Sequence, residues 1–249
     1  MTSESRQLKV KDIFTNQLLS CDKSTSLFCA VTKMRSHNVS SIFVTDNDKI
    51  VGIWTESDCV KLNFSEQGFQ QTPIGQLMAT PVQSVQVDKS LSEATIKFHQ
   101  LGIRHLLVKN ELFEPVGVVS LSDIVRNQGL DHYLHFRPID NHFDRKVTIL
   151  DSRDCISKVI DVMRIKRVTA VLVFNKDMGE YGIITQRDIA YMVLHPDWRM
   201  PCWELASYPM QAVEPKDSLF DAYRLMTVNS IRHLVVKEPL TGQVIGLLA

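Results

Sequence analysis

The sequence predicts an α+β fold built from four small repeats, each running strand, helix, strand, strand, helix. Three observations carry this prediction: a glycine-led strand recurs at even spacing, an amphipathic helix pattern precedes each copy, and a short apolar strand lies between them. The chain has 249 residues, of which 44% are apolar and 22% charged, which is typical of a globular protein. Internal repetition therefore decides the fold.

The glycine-led strand sets the register of the repeats. It consists of Gly, two apolar residues and a small residue, and appears as GIWT, GVVS, GIIT and GLLA. The four glycines are Gly52, Gly117, Gly182 and Gly246, spaced 65, 65 and 64 residues apart. Such even spacing indicates four structurally equivalent copies.

An apolar stripe at i, i+3, i+4, i+7 precedes each glycine-led strand and predicts a helix with one buried face. The stripes are Leu27, Ala30, Val31 and Met34; Leu91, Ala94, Thr95 and Phe98; Ile156, Val159, Ile160 and Met163; and Leu219, Ala222, Tyr223 and Met226. Polar residues before each stripe can cap the helix, and the apolar strands SIFV, HLLV, AVLV and HLVV follow. A unit of about 60 residues buries so little apolar surface that it is only marginally stable alone, so we expect copies to pack together.

Alternate copies are more alike than neighbours. The segment IRHLLVK (Ile103–Lys109) returns as IRHLVVK (Ile231–Lys237), whereas copies one and three carry VSSI and VTAV instead. This alternation predicts two pairs, joined where YLHFRPIDNHFDR has a proline and no clean period. The predicted boundaries are 9–65, 74–130, 146–196 and 203–249 for the four copies, with a linker at 131–145.

Three copies end in Gly, two apolar residues, Ser or Thr, two further residues and Asp: GIWTESD, GVVSLSD and GIITQRD. With these endings the sequence resembles tandem cystathionine-β-synthase (CBS) domains over nearly its whole length, from about Val10. The resemblance implies four CBS units, each with a three-stranded sheet and two helices, paired into two Bateman modules. Because the fourth ending stops at Ala249, before its acidic residue, we expect that half-site to be incomplete and the natural protein to continue.

The resemblance also implies a function, which is to bind adenosine-type ligands in clefts between paired domains and so regulate an attached or partner protein. The candidate ligands are AMP, ADP, ATP and S-adenosylmethionine, with no required cofactor and no catalysis by this chain. A homodimer through CBS contacts and a C-terminal output domain are the expected partners. Two alternatives stay open: a dimerisation scaffold with vestigial sites, and the regulatory arm of a signalling enzyme such as a diguanylate cyclase.

The Ser/Thr-x-x-Asp endings predict capping boxes, in which a hydroxyl and a carboxylate satisfy backbone amides at a helix start. A carboxylate there can also accept hydrogen bonds from ribose hydroxyls. The Arg-His pairs supply cations for phosphate, or they are solvated strand starts that form salt bridges. Trp54 either stacks on an adenine or fills the cleft.

In the resembling family, the Asp of one domain works with the strand start of its partner, which implies three clefts. They combine Thr55 and Asp58 with Arg104 and His105; Ser120 and Asp123 with Val39, Ser40 and Ser41; and Thr185 and Asp188 with Arg232 and His233. The first and third carry cations and suit phosphorylated ligands, whereas the second suits a ligand with less phosphate or none.

Composition and motifs argue against several other functions. Lys plus Arg (28) balance Asp plus Glu (28), so no global field favours nucleic acid. The polar N-terminus and the lack of a long apolar run predict a cytoplasmic protein without membrane insertion. Five scattered cysteines argue against a disulfide framework or a zinc knuckle. His132, His135 and His142 are more typical of a polar linker than of a metal site.

Overall fold

The computed structural model describes residues 8–64, 66–127 and 134–249, and these form four three-stranded sheets, one for each copy. In every sheet the first strand runs parallel to the second, and the third runs antiparallel to the second. The strands are β1 Ser20–Asp22, β2 Ser41–Asp46 and β3 Lys49–Thr55; β4 Ser84–Gln86, β5 His105–Lys109 and β6 Pro115–Ser120; β7 Ile149–Asp151, β8 Ala170–Asn175 and β9 Glu180–Thr185; and β10 Ala212–Val213, β11 Leu234–Lys237 and β12 Val244–Leu248. The α+β fold class is confirmed.

A helix joins the first and second strands of each copy, and a shorter helix follows the third strand in copies one to three. The joining helices are Leu27–Ser36, Leu91–Leu101, Ile156–Lys166 and Leu219–Val228, and the following ones are Glu56–Cys59, Leu121–Asn127 and Gln186–Met192. The predicted stripes of the first and third joining helices are fully buried. In the second, Thr95 is only half-buried, and in the fourth the same holds for Leu219, Tyr223 and Met226.

The short segments that precede each copy are exchanged within a pair. Segment Lys9–Thr15 precedes copy one but forms antiparallel bridges to Ser90 and Val118 of copy two, and Val10 joins the core of copy two. Conversely, Pro73 and Ala79, which precede copy two, bridge Ser26 and Ile53 of copy one. Each segment contains a short 3-10 helix, and these are Val10–Asp12, Ile74–Gln76, Ile139–Asn141 and Cys202–Glu204. The exchange is why copies pack as pairs, since each needs a core residue from its partner.

The same exchange occurs between copies three and four. Pro138 and Asp144 bridge Ser218 and Leu247 of copy four, while Pro201 and Ser207 bridge Cys155 and Ile183 of copy three. Residues 131–133 of the predicted linker lie outside the described residues. The part of the predicted linker from Pro138 to Asp144 packs against copy four and is not a free connection. Ile139 is fully buried in the core of that copy.

The described chain divides into two compact units that match the predicted pairs. Residues 8–58 and 66–127 form the first unit, with copies one and two; residues 59–64 and 134–249 form the second, with copies three and four. The short segment 59–64 packs within the second unit, where the rings of Phe64 and Trp198 have centroids 4.1 Å apart. A further 3-10 helix, Phe69–Gln71, lies in the first unit.

Candidate functional site

Each predicted Ser/Thr-x-x-Asp ending forms a hydroxyl–carboxylate pair at the start of a helix. The Thr55 hydroxyl donates to Asp58 Oδ2 at 2.7 Å, and the Thr55 amide donates to the same oxygen at 3.0 Å. The corresponding distances are 2.7 and 2.8 Å for Ser120 with Asp123, and 2.6 and 2.7 Å for Thr185 with Asp188. These pairs hold the three carboxylates in equivalent places at the ends of the third strands.

A backbone hydrogen bond ties the start of the second strand to each of these helix starts. The amides of Glu56, Leu121 and Gln186 donate to the carbonyls of Ser40, Arg104 and Thr169, at 3.1, 3.0 and 3.0 Å. The strand start and the hydroxyl–carboxylate pair of one copy therefore lie side by side. This places the predicted Arg-His motif of copy two next to the Asp123 of its own copy.

A side-chain contact connects the two copies of the first unit near these helix starts. Ser40 Oγ of copy one and His105 Nε2 of copy two lie 3.1 Å apart. Both side chains are half-buried. Two residues of separate predicted clefts are thus in direct contact.

Strand pairing places the hydroxyl–carboxylate pair of each copy near this contact. Ser41 is paired with Thr55 across β2 and β3, and His105 is paired with Ser120 across β5 and β6. The contact between Ser40 and His105 thus lies between the two hydroxyl–carboxylate pairs. We define these residues as the first-unit crevice: Val39, Ser40, Ser41, Thr55, Asp58, Arg104, His105, Ser120 and Asp123.

Two of the carboxylates have an oxygen left over. Every side-chain hydrogen bond of Asp123 and Asp188 within the described residues ends on Oδ2. Their Oδ1 atoms therefore accept nothing from the described part of the chain. A carboxylate that uses one oxygen for its helix and presents the other can accept hydrogen bonds from a diol.

The cationic residues at equivalent places in the two units have similar exposure. Arg104 is exposed beside the first-unit crevice, where its guanidinium can reach an anion. In the second unit, Arg232 is exposed and His233 is half-buried at the equivalent places, and both have interactions within the chain. The predicted union of Arg232 and His233 with Thr185 and Asp188 stays a prediction.

Sequence reasoning missed the first residue of each short helix. Glu56 is a carboxylic acid that is only 3% exposed, and Gln186 occupies the equivalent position in the second unit. Gln186 Oε1 is buried and accepts no hydrogen bond from the described residues. Both residues directly follow the threonine of a Ser/Thr-x-x-Asp ending, and this position is the sequence signal that could have identified them.

Trp54 is a packing residue. It is fully buried and occupies the register position of Val119 and Ile184, which are also fully buried. Its ring offers no face to a ligand, so the stacking alternative is wrong in this structure. The indole N–H has no acceptor among the described residues.

No metal site accompanies these groups in the described chain. Among residues 8–64, 66–127 and 134–249, no three His, Cys, Asp or Glu side chains converge in a way that could hold a metal ion. His135 stacks on Phe220 with ring centroids 3.8 Å apart, and His132 lies outside the described residues. In the same ranges no helix is both long and apolar enough to cross a bilayer.

A groove of about 400 Å³ in copy four was not foreseen, and it contains none of the predicted site residues. Its charged lining residues are Asp217, Asp221 and Arg224. Asp217 accepts the amide of Glu214 at 2.8 Å, and Asp221 accepts the hydroxyl of Ser218 at 2.7 Å. Both carboxylates thus stabilise the turn and helix start beside them.

Comparison with known proteins agrees with the repeat geometry. The family model "CBS domain" matches residues 10–64 and 74–129, which are copies one and two. The CBS domain-containing protein YhcV of Bacillus subtilis is 33% identical over 122 residues, covering 48% of this chain and 84% of YhcV. This chain belongs to the CBS domain family. Its paired repeats are CBS pairs of the Bateman type.

Two further similarities concern longer stretches of the CBS chain. The gamma-3 subunit of bovine 5'-AMP-activated protein kinase is 26% identical over 158 residues, covering 54% of this chain and 32% of that subunit. The structure of protein MJ1225 from Methanocaldococcus jannaschii matches with a TM-score of 0.83 and 17% identity, over 97% of both chains. At that identity the second likeness concerns the fold, and it extends to all four CBS repeats.

Proposed function

We propose that this CBS protein is a regulatory sensor that binds an adenine nucleotide, or a related adenosine compound, in the first-unit crevice. The observation that carries the proposal is the contact between Ser40 and His105. It supports a site in which the Thr55–Asp58 and Ser120–Asp123 pairs lie on either side of a polar crevice shared by two repeats. A ligand in that crevice contacts both repeats and can therefore respond to their relative orientation.

The chemistry of the crevice suits an adenosine ligand. Asp123 Oδ1 is available to the two hydroxyls of a ribose, and the hydroxyls of Ser40 and Ser120 add further polar groups. A carboxylate repels phosphate, but exposed Arg104 supplies a planar guanidinium that can bind it. The similarity to a subunit of a 5'-AMP-activated kinase favours AMP as the first ligand to test.

In the second unit, we propose a related site at Thr185, Asp188 and Gln186. The free Oδ1 of Asp188 and the unpaired Oε1 of Gln186 are two acceptors close together in sequence. A ligand that satisfied both would remove the free-energy cost of a buried, unpaired acceptor. Arg232 and His233 are the proposed phosphate contacts there.

Isothermal titration calorimetry with AMP, ADP, ATP and S-adenosylmethionine tests the proposal, and GMP serves as the control for base recognition. We expect saturable heat for at least one adenosine compound and none for GMP. Asp123→Asn should weaken binding about tenfold, the loss expected from a charge-assisted hydrogen bond of about 1.4 kcal/mol. Glu93→Gln is the matched control, since Glu93 is also a capping-box carboxylate of the first unit but lies outside the crevice.

The scaffold alternative gives a different result. If the clefts are vestigial, folded protein shows no heat with any of the four compounds, and Asp123→Asn changes nothing but stability. Regulation of an output domain and a homodimer stay predictions from the family. Light scattering with and without AMP measures whether subunit association depends on the ligand.

A further inference from the structure

The groove of copy four lies where the other copies place lysine side chains. It has a volume of about 400 Å³ and is lined by residues of β10, of the helix Leu219–Val228 and of the turn between them. Its apolar lining residues are Ala212, Val213, Leu225 and Val228. Because the four repeats share one fold, the same place can be compared in all of them.

Strand register identifies the equivalent positions at the start of the first strand. The residues that pair with the same point of the second strand are Ser20, Ser84, Ile149 and Ala212. Counting from the helix N-cap, the residues equivalent to Leu225 are Lys33, Lys97 and Val162. Copies one and two therefore have a lysine where copy four has a leucine.

In copies one to three, a lysine of the joining helix donates a hydrogen bond at the start of the first strand. Lys33 Nζ donates to the Ser20 carbonyl and Lys97 Nζ to the Ser84 carbonyl, both at 2.7 Å. In copy three, Lys166 Nζ donates to the Thr148 hydroxyl at 3.1 Å. The helix of copy four contains no lysine, so this ammonium group is missing there.

The acceptor itself is still present in copy four. The Val235 amide donates to the Gln211 carbonyl at 3.1 Å, so the next carbonyl, that of Ala212, points away from β11. Since β10 is the edge strand of its sheet, that carbonyl faces the open edge. It is the counterpart of the Ser20 and Ser84 carbonyls that accept a lysine ammonium.

A second ammonium group is missing at the other end of the groove. At the positions of Asp217 and Asp221, copies two and three have an ion pair: Lys89 with Glu93 at 3.0 Å, and Asp154 with Lys158 at 2.7 Å. Copy four has two carboxylates instead. Their side-chain hydrogen bonds within the described residues end on Oδ2, which leaves both Oδ1 atoms available to a cation.

We propose that this groove binds a short aliphatic diamine. One ammonium group donates to the Ala212 carbonyl, and the other lies between Asp217 and Asp221. Copy two has an ammonium group at both of these places, from Lys97 and from Lys89. Asp221 and Leu225 are about one helical turn apart, roughly 5–6 Å, and a chain of about four or five methylenes spans a similar length.

The rest of the lining both favours and limits such a ligand. Val213 and Leu225 provide an apolar surface for the methylene chain, as they do for the alkyl part of a lysine. Arg224 also lines the groove, and its positive charge repels an ammonium group. Because Arg224 is exposed, solvent and salt screen that repulsion. The site is independent of the proposed nucleotide crevice, which lies in the first unit.

Isothermal titration calorimetry of the full chain with putrescine and cadaverine at low ionic strength tests the proposal, with butylamine as the control. We expect saturable heat for at least one diamine. Butylamine should bind about tenfold more weakly, because it supplies only one of the two charge-assisted hydrogen bonds.

Two substitutions supply the missing ammonium groups from within the chain. Leu225→Lys introduces the lysine of copies one and two, and Asp221→Lys reproduces the pair of Asp154 with Lys158 in copy three. Each should weaken diamine binding about tenfold, and circular dichroism checks that each variant is folded. Arg224→Gln should strengthen binding. Glu214→Gln is the matched control, since it removes an exposed carboxylate of the same turn that does not line the groove.

Three outcomes would overturn the proposal. The first is that neither diamine gives saturable heat with the folded wild-type chain. The second is that butylamine binds as tightly as the diamines, which would mean that the two ends are not used together. The third is that Leu225→Lys and Asp221→Lys bind diamine like the wild-type chain, or that Glu214→Gln weakens binding as much as they do.

Discussion

Ser40 Oγ and His105 Nε2 meet at 3.1 Å and form a side-chain hydrogen bond between the first two CBS repeats at the level of the proposed site. Ser40 directly precedes β2 and His105 starts β5, and their backbones lie beside the two hydroxyl–carboxylate pairs. A change in the relative orientation of the repeats must lengthen or break this contact. It is therefore the point where ligand binding and repeat geometry are expected to be linked.

Replacing Ser40 by Ala removes this hydrogen bond and leaves the His105 ring without that partner. A hydrogen bond of this kind contributes about 1 kcal/mol, so we expect the affinity for AMP to fall about fivefold and the unfolding midpoint to fall by about 2–4 °C. Calorimetry and thermal unfolding measure the two effects. Thr169→Ala, at the equivalent strand start of the second unit, is the matched control for loss of a hydroxyl. If neither Ser40→Ala nor Thr169→Ala changed the affinity for AMP, the proposed connection between this contact and ligand binding would be refuted.

Gln186 gives a prediction in which stability and binding move in opposite directions. Gln186→Leu introduces the residue that copy two carries at this position, Leu121, and removes a buried acceptor that has no described partner. Removing an unpaired buried acceptor should raise the free energy of unfolding by about 1 kcal/mol. If a ligand satisfies that acceptor, the same change should weaken binding to the second unit by about fivefold.

Urea unfolding and calorimetry on the same preparations separate the two effects. Asn175 is the comparison, because its side chain is also buried but its Oδ1 accepts the amides of Asp177 and Met178. Asn175→Leu should therefore lower stability. Were Gln186→Leu to destabilise the protein as well, Gln186 would be an ordinary structural residue.

The repeats could be predicted from sequence because their signals are periodic. The spacing of Gly52, Gly117 and Gly182 and the helical stripes identify the strands and helices, and a capping box needs only two residues three positions apart. The pairing of copies one with two and three with four also followed from the alternation of the strand starts. These features depend on local sequence patterns, which can be recognised in one sequence without a structure.

The exchange of the preceding segments could not be predicted in the same way. A three-residue 3-10 helix such as Val10–Asp12 has no period, and Val10 reads equally well as the start of copy one. Which core receives it is decided by tertiary packing, since Val10 fits between the helix and sheet of copy two. The contact of Ser40 with His105 and the burial of Glu56 depend on that packing and were missed for the same reason.

Gly117 shows why the third strand of each copy contains a glycine at this position. A Cβ on Gly117 would overlap the carbonyl oxygen of Thr15 and the ring of Phe14, both in the exchanged segment. We expect Gly117→Ala to destabilise the first unit by about 2 kcal/mol or more, because a backbone atom cannot move aside without breaking the bridge between Thr15 and Val118.

Gly52→Ala is the matched substitution at the same register position of copy one. There the added Cβ meets the side chain of Met78, whose three rotatable bonds allow it to move. The loss should be smaller than for Gly117→Ala in urea unfolding of the full chain. Equal losses would mean that the backbone of the exchanged segment does not set the requirement for glycine.

The Ser90–Glu93 capping box gives a pH-dependent prediction. The Ser90 amide, then Lys89 and the Ser90 hydroxyl, lower the pKa of Glu93 from its ordinary 4.5 to about 2. Because the pKa is lower in the folded state, the ionised carboxylate stabilises the fold at pH values above 4.5. This contribution is lost progressively as pH falls through about 2.

Glu93→Gln should therefore have a lower urea midpoint than the wild-type chain at pH 7, and the difference should shrink as pH falls from 4.5 to about 2. Unfolding curves of both chains at a series of pH values measure this convergence. Lys89→Gln is the control for the ion pair, since it removes the 3.0 Å contact with Glu93 but leaves the capping box in place. Because that pair is exposed, Lys89→Gln should reproduce only a small part of the effect. A difference between Glu93→Gln and wild type that stays constant over this pH range would contradict the assignment.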